Sequence, residues 1–301
     1  MQEKSLQVSA EIDIYFRDNE ASGKPALLML HSLSDNGFAF DGIISAGLGS
    51  HFRIITPDLR GRGKSGRPAT GYSLDDHSQD LIALLDSLGI KKVFLSGHSF
   101  GGLLALYFAS HFRDRVLGLA LIDAAAELNP LTPAFMTLMT DRLGKWYPSK
   151  ESYLLKMRAA PFMRFWDENM ERCFLADTEI LTDDTLIVRT QKWHIAQCAV
   201  AVQAVSKKEW RTWAQRIQGP SLVLWAAEPF IGGEFIVPER KALETAVLLP
   251  EGESHTVPGN HLTMLFGEGA MSIATRIMER FTRSGTGRAF SRKAAGIAFA
   301  G

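Results

Sequence analysis

The chain has 301 residues, 46% hydrophobic and 22% charged, with 33 basic against 33 acidic residues and only two cysteines, Cys173 and Cys198. That length suits one large domain with an insertion, or two small ones. The even charge balance gives no reason to expect nucleic acid or an anionic membrane as partner, and two cysteines make no disulfide framework.

Ser5 to Asp18 alternates apolar and polar residues and reads as two edge strands. Ala26-Leu27-Leu28-Met29-Leu30 is a continuous apolar run, as expected of a strand buried on both faces, and it ends in the polar turn His31 to Gly37. Arg53-Ile54-Ile55-Thr56 is the next strand, stopped by Pro57-Asp58. Asp75 to Leu88 reads as an amphipathic helix with Leu81, Ile82, Leu84, Leu85 and Leu88 to one side. Further strands are expected at Lys92–Ser96, Leu117–Ile122, Ser221–Ala226 and within Ala246–Val257, with a last helix over Glu268–Phe281. Strands alternating with helices imply an α/β fold, a mostly parallel doubly wound sheet with helices on both faces.

Between Glu127 and Gln218 the rhythm breaks. That span shows helical patterns, no clear strand, and many large residues, among them Phe135, Met136, Met139, Trp146, Phe162, Trp166 and Trp210. The expected division is therefore a core of 1–126 and 219–281, a helical cap of 127–218, and a flexible basic tail of 282–301 carrying Arg283, Arg288, Arg292 and Lys293. The opening Met1 to Ser5 lacks the apolar core of a secretory leader, and no apolar run is long enough to span a bilayer. The expected location is cytoplasmic, with no membrane partner.

The most informative stretch is Gly97-His98-Ser99-Phe100-Gly101. It follows an apolar strand and precedes the helix-like run Gly102 to Ala109, so a serine stands at the apex of a strand–turn–helix unit. Such a turn holds the serine in a strained conformation between small neighbours and aims the N-terminus of the next helix at whatever reacts there. The phosphate-binding fingerprints G-x-G-x-x-G and G-x-x-x-x-G-K-[ST] do not fit this stretch.

The elbow, its order along the chain and the strands around it resemble the α/β-hydrolase superfamily, from about Leu27 to Phe281. His31-Ser32-Leu33 is similar to its His-Gly-x oxyanion turn, with Ser32 in place of Gly. Asp58-Leu59-Arg60-Gly61-Arg62-Gly63-Lys64-Ser65 resembles the D-x-R-G-x-G-x-S turn of its capped esterase and C–C hydrolase branches. Gly259-Asn260-His261-Leu262-Thr263-Met264 resembles the histidine segment of thioesterases of the polyketide type. The resemblance implies an α/β-hydrolase fold with a helical cap, and a hydrolase working without metal or organic cofactor on a small-molecule acyl substrate.

A serine hydroxyl needs an adjacent base, and histidine suits that role near neutral pH. Ser99 is the expected nucleophile. Of the eight histidines, His261 lies just past the last strand where it could reach over the sheet, whereas His255 falls nearer that strand's start. The orienting acid should come between the serine and the histidine in chain order. Asp123, ending the strand after the elbow helix, is the expected acid, with Glu228, one residue from where the resemblance puts an Asp after the next strand, as the alternative. Backbone N–H groups of Phe100 and Leu33, with Ser32 as the near alternative to Leu33, are the expected oxyanion donors. His31, Ser32, His98, Trp166 and Trp225 are expected near the substrate.

The leading expectation is a carboxylesterase-like serine hydrolase (EC 3.1.1) cleaving an ester, thioester or lactone through an acyl-enzyme on Ser99. A serine apex sets the chain apart from epoxide hydrolases and haloalkane dehalogenases, which resemble this fold with Asp at that place. A ligand receptor keeping the triad for binding, and a lyase of the hydroxynitrile type, stay open as alternatives.

Overall fold

The structure, a computed structural model, describes residues 1–127, 132–181 and 184–294, with 132–134 and 284–294 described by their backbone alone. Eleven strands and ten α-helices are assigned among these residues. The hairpin β1 (Gln2–Ser9) and β2 (Ile12–Asp18) leads into β3 (Ala26–Leu30), the short helix α1 (Asp41–Ser45), β4 (Arg53–Pro57), α2 (Leu74–Ser87), β5 (Val93–His98), α3 (Phe100–His111) and β6 (Val116–Ile122). An insertion then supplies α4 (Thr132–Met139), β7 (Trp146–Tyr147), α5 (Lys150–Arg158), α6 (Glu168–Ala176), β8 (Thr178–Ile180), β9 (Leu186–Val188), α7 (Lys192–Gln203) and α8 (Lys207–Gln215). The chain returns through β10 (Ser221–Ala226), α9 (Glu239–Leu248), β11 (Gly252–Val257) and α10 (Gly267–Ala294).

The main sheet has eight strands in the order β1-β2-β4-β3-β5-β6-β10-β11. Only β1–β2 and β2–β4 pair antiparallel; every other pair is parallel. The central strands β3, β5 and β10 are buried at every position, which is why they read as unbroken apolar runs. Register places Leu30 beside Gly97, Gly97 beside Leu121, and Ile122 between His98 and Leu224. The turns leaving β3, β5, β6, β10 and β11 therefore open at one edge of the sheet, where open α/β sheets bind their ligands. Helix α2 is fixed at its start by a capping box between Ser73 and Asp76, and buries Leu81, Leu84 and Leu85 against the sheet.

Three expectations change. Of the two strands expected at an edge, only β1 lies there; β2 is enclosed by β1 and β4. The last strand, Gly252–Val257, falls within the span expected for it, with Ala246 itself in α9. The insertion is not purely helical: β7, β9 and β8 form a small antiparallel sheet. Strands of two or three residues are too short to leave a period in the sequence. The tail expected from 282 onward is helical in its backbone as far as Ala294, because α10 runs on well past Phe281; residues 295–301 lie outside the described residues.

The insertion has a core of its own, including Tyr153, Phe162, Phe174, Leu186 and Val188. Its last helix joins the main core instead: Trp210 is buried there, and Trp213 meets Tyr107 of α3 edge-on at 5.2 Å. Among the described residues no helix is long and apolar enough to cross a membrane.

Candidate active site

Ser99 sits between β5 and α3 with φ 55° and ψ −118°, a conformation L-residues rarely adopt. Close packing enforces it. A Cβ on Gly97 would stand 2.1 Å from the Gly101 carbonyl oxygen, and one on Gly101 would stand 2.1 Å from that of Leu30. The Ser99 N–H donates to Ile122 O at 2.9 Å, and its hydroxyl makes no capping bond to α3, so it stays available for chemistry. Because the obstruction at Gly97 is backbone, Gly97→Ala is expected to cost about 3 kcal/mol, read as a lower urea midpoint at unchanged m-value.

Asp123 is the second strained residue at this edge, with φ 43° at the end of β6. Its N–H donates to Leu224 O at 2.7 Å and its Oδ1 accepts the Ala226 N–H at 3.2 Å, both from β10. Those contacts aim Oδ2 at His261, whose Nδ1 lies 2.6 Å away. Carboxylate and imidazole are each no more than 2% exposed. With Nδ1–H given to Asp123, the other ring nitrogen, Nε2, carries the lone pair. Asp123 and Ser99 line one cavity.

The histidine loop is built by Asn260. Its Oδ1 accepts the N–H groups of Leu262 and Thr263 at 3.1 and 3.0 Å, and its own N–H donates to Thr263 Oγ1 at 2.9 Å. Its Nδ2 donates to Phe162 O in the insertion at 2.7 Å. Beneath, His98 donates from Nε2 to the His261 carbonyl at 2.8 Å. Burial holds the His98 imidazole well below its usual range, with the neighbouring His261 adding to it.

In the turn after β3, three successive carbonyls are taken up by hydrogen bonds. Ser32 O accepts from His31 Nδ1 at 2.7 Å and from the Asp35 N–H at 3.3 Å. Leu33 O accepts from Arg62 Nε at 3.0 Å, and Ser34 O from Arg142 Nη2. Since N–H and C=O point oppositely in a trans peptide, the Leu33 N–H faces the other way from Ser32 O. Among the described residues neither the Leu33 nor the Phe100 N–H finds a hydrogen-bond acceptor. Burial, with repulsion from Arg62, pulls His31 down to about 3, so its Nε2 can accept the Leu59 N–H at 2.9 Å.

The cavity encloses about 500 Å³. Ser32, Leu33, Ser99 and Phe100 line it at the serine, with Met136, Met139, Val202, Trp210 and Ile236 among its apolar walls. Glu127 and Lys207 also line it; they pair at 2.8 Å, and the Lys207 side chain is 75% exposed, which marks the rim. A smaller cavity of about 320 Å³ shares Ser34 and Met139 with the first.

The sequence-expected residues thus divide. Ser99, Asp123, Ser32, Leu33 and Phe100 share the cavity, and His261 is joined to Asp123. Glu228 is exposed beyond β10, its N–H on Gly259 O at 3.0 Å, and its carboxylate makes no bond to His261. His31 and His98 are buried behind the site and do not line the cavity. Neither do Trp225 and Trp166: the first belongs to the main core, and the second stacks on Phe174 at 5.5 Å. His255 lies in mid-strand opposite Leu224, near Glu253. Arg62, Arg142 and Asn260 carry roles that sequence reasoning did not assign. Arg62 and Asn260 fall inside the quoted motifs, whereas nothing near Arg142 marks it. No group of three or more His, Cys, Asp or Glu that could hold a metal occurs among the described residues.

The family model for the alpha/beta hydrolase fold matches residues 25–268, and the chain belongs to that family. Among solved structures it is similar to E-2-(acetamidomethylene)succinate hydrolase, with TM-score 0.80 and 18% identity over 93% of this chain and 99% of the other. It is also similar to the enol-lactonase from Burkholderia xenovorans LB400, with TM-score 0.70 and 21% identity over 93% and 100%. A soluble epoxide hydrolase from Corynebacterium sp. (strain C12) is 39% identical over 102 residues, 34% of this chain and 35% of that protein. The chain spans about a third of the length of the first curated relatives it matches.

Proposed function

We propose that the chain is a serine hydrolase that cleaves a carboxylic ester through an acyl-enzyme on Ser99. The observation that carries this reading is the 2.6 Å bond between Asp123 and His261 at the sheet edge where the elbow presents Ser99. Asp123 keeps Nδ1 protonated and favours the imidazolium that forms when Nε2 takes the serine proton. The Ser99 oxygen then adds to the acyl carbon, and the oxyanion is received by the N–H groups of Leu33 and Phe100. The imidazolium returns its proton to the departing alcohol. A water molecule, deprotonated by the same nitrogen, attacks the acyl-enzyme and releases the acid. The serine at the apex favours this route over direct attack by a carboxylate on an epoxide. The apolar walls suit an acyl group longer than acetyl, and the insertion acts as the cap that closes over it.

The test is hydrolysis of p-nitrophenyl esters from acetate to decanoate, with a fluorophosphonate and mass spectrometry to locate the adduct. Sustained turnover on the order of 1–10² s⁻¹, best above acetate, with one adduct on Ser99, is the expected result. One stoichiometric burst without turnover would replace the reading with a receptor, and substrate cleavage without any acyl-enzyme would replace it with a lyase.

A further inference from the structure

Arg62 is fully buried, 0% exposed, and forms no ion pair with an acid among the described residues. The neighbouring buried arginines all have one: Arg17 pairs with Asp41, Arg60 with Asp80, and Arg142 with Asp177. The Arg62 guanidinium instead donates to the carbonyls of Leu33 and Arg60 at 3.0 and 2.6 Å, to His77 Nε2 at 2.9 Å, and to Cys198 Sγ at 3.0 Å. Each of these partners is neutral. His77 gives Nδ1–H to Ser73 O, which leaves Nε2 as the acceptor, and burial opposes ionisation of the Cys198 thiol. A buried charge without a counter-ion is costly, and such a charge persists where it has work to do.

Its position names the work. Arg62 touches the two residues whose N–H groups are assigned to the oxyanion. Nε holds Leu33 O, and the guanidinium carbon stands 5.2 Å from the centre of the Phe100 ring. Resting on the serine-hydrolase reading above, we infer that Arg62 is a positioning residue whose uncompensated cation, set behind Leu33 and Phe100, stabilises the negative charge that develops on the substrate carbonyl oxygen. It does so without touching substrate, since it does not line the cavity. A field from a fixed cation in a water-poor site needs no reorganisation when the oxyanion forms.

Supplying the missing counter-ion tests this. Cys198→Asp places a carboxylate where the guanidinium now meets sulfur, and Cys198→Asn is its charge-free match. The expected result is a kcat for p-nitrophenyl ester hydrolysis about tenfold lower in Cys198→Asp than in Cys198→Asn, at equal KM. Binding of an alkyl trifluoromethyl ketone, which adds Ser99 to its carbonyl as a tetrahedral oxyanion, should weaken by the same factor. Arg62→Lys should keep more of kcat than Arg62→Gln. Equal kcat and equal ketone affinity in the Cys198 pair overturn the inference while leaving the hydrolase intact. A parent chain that neither turns over ester nor acquires a Ser99 adduct overturns the hydrolase reading, and this inference with it.

Discussion

Asp123→Asn is expected to lower kcat by about 10⁴-fold, and Glu228→Gln to leave it within about twofold of the parent. The asymmetry follows from what each carboxylate touches. Asp123 holds His261 Nδ1 at 2.6 Å and is itself anchored through Leu224 and Ala226, so an amide there can present an N–H to the ring and favour the wrong tautomer. Glu228 is in solvent, and no bond joins it to the imidazole. Ser99→Ala and His261→Ala should each cost on the order of 10⁶ in kcat, with little further loss on combining them, because they act as a unit. Steady-state rates on one p-nitrophenyl ester check all four. Equal losses at Asp123 and Glu228, or none at Asp123, would remove the assigned acid.

His31→Gln should convert a pH-dependent stability contribution into a flat one. In the folded chain burial holds His31 down to about 3, against an ordinary value near 6.5. A folded-state value below the unfolded one means that the unfolded chain binds the extra proton first. Stability from this group is therefore complete above about 6.5 and is lost as the pH falls toward about 3. One proton corresponds to about 1.4 kcal/mol per pH unit, and the whole interval to about 4–5 kcal/mol. The glutamine can still accept from Leu59 and donate toward Ser32, but it cannot titrate. Parent and variant measured by urea unfolding from pH 8 downward should converge by about 1.4 kcal/mol per unit below 6.5. Taking the difference cancels the buried carboxylates common to both, among them Asp58, which burial raises to about 7 and whose effect has the opposite sign. Parallel curves would show that His31 is not held neutral.

The elements nearest the chemistry were legible because their determinants are local. A serine between glycines after an apolar strand can be recognised within a dozen residues, and so can a Gly-Asn-His turn after the last strand. The proposed acid was legible only as a preference, since Asp123 and Glu228 both follow strand ends and the contact of Asp123 with His261 depends on how β6 lies beside β10. Trp166 and Trp225 show the same limit for binding residues: an aromatic side chain in a sequence has no facing, and the fold turned one onto Phe174 and the other into the core. Arg62 and Arg142 were invisible as partners of the turn after β3 because each acts on a backbone carbonyl about 30 or 110 positions away.

The insertion is sewn to the sheet edge that carries Ser99 at more than its two ends. Arg142 reaches Ser34 O, Asp177 accepts the Gly63 N–H at 3.3 Å, and these two side chains pair with each other at 3.0 Å while Asp177 also holds Thr190. One clasp therefore ties the turn after β3, the turn after β4 and the small sheet together. For recombination this sets a rule of inheritance: segment 127–218 is not an exchangeable module. A chimera that imports another insertion without matching partners for Ser34 O and Gly63 N receives new cavity walls on a slackened turn after β3, and directed evolution of such hybrids should recover an arginine and an acid at this seam before it improves anything else.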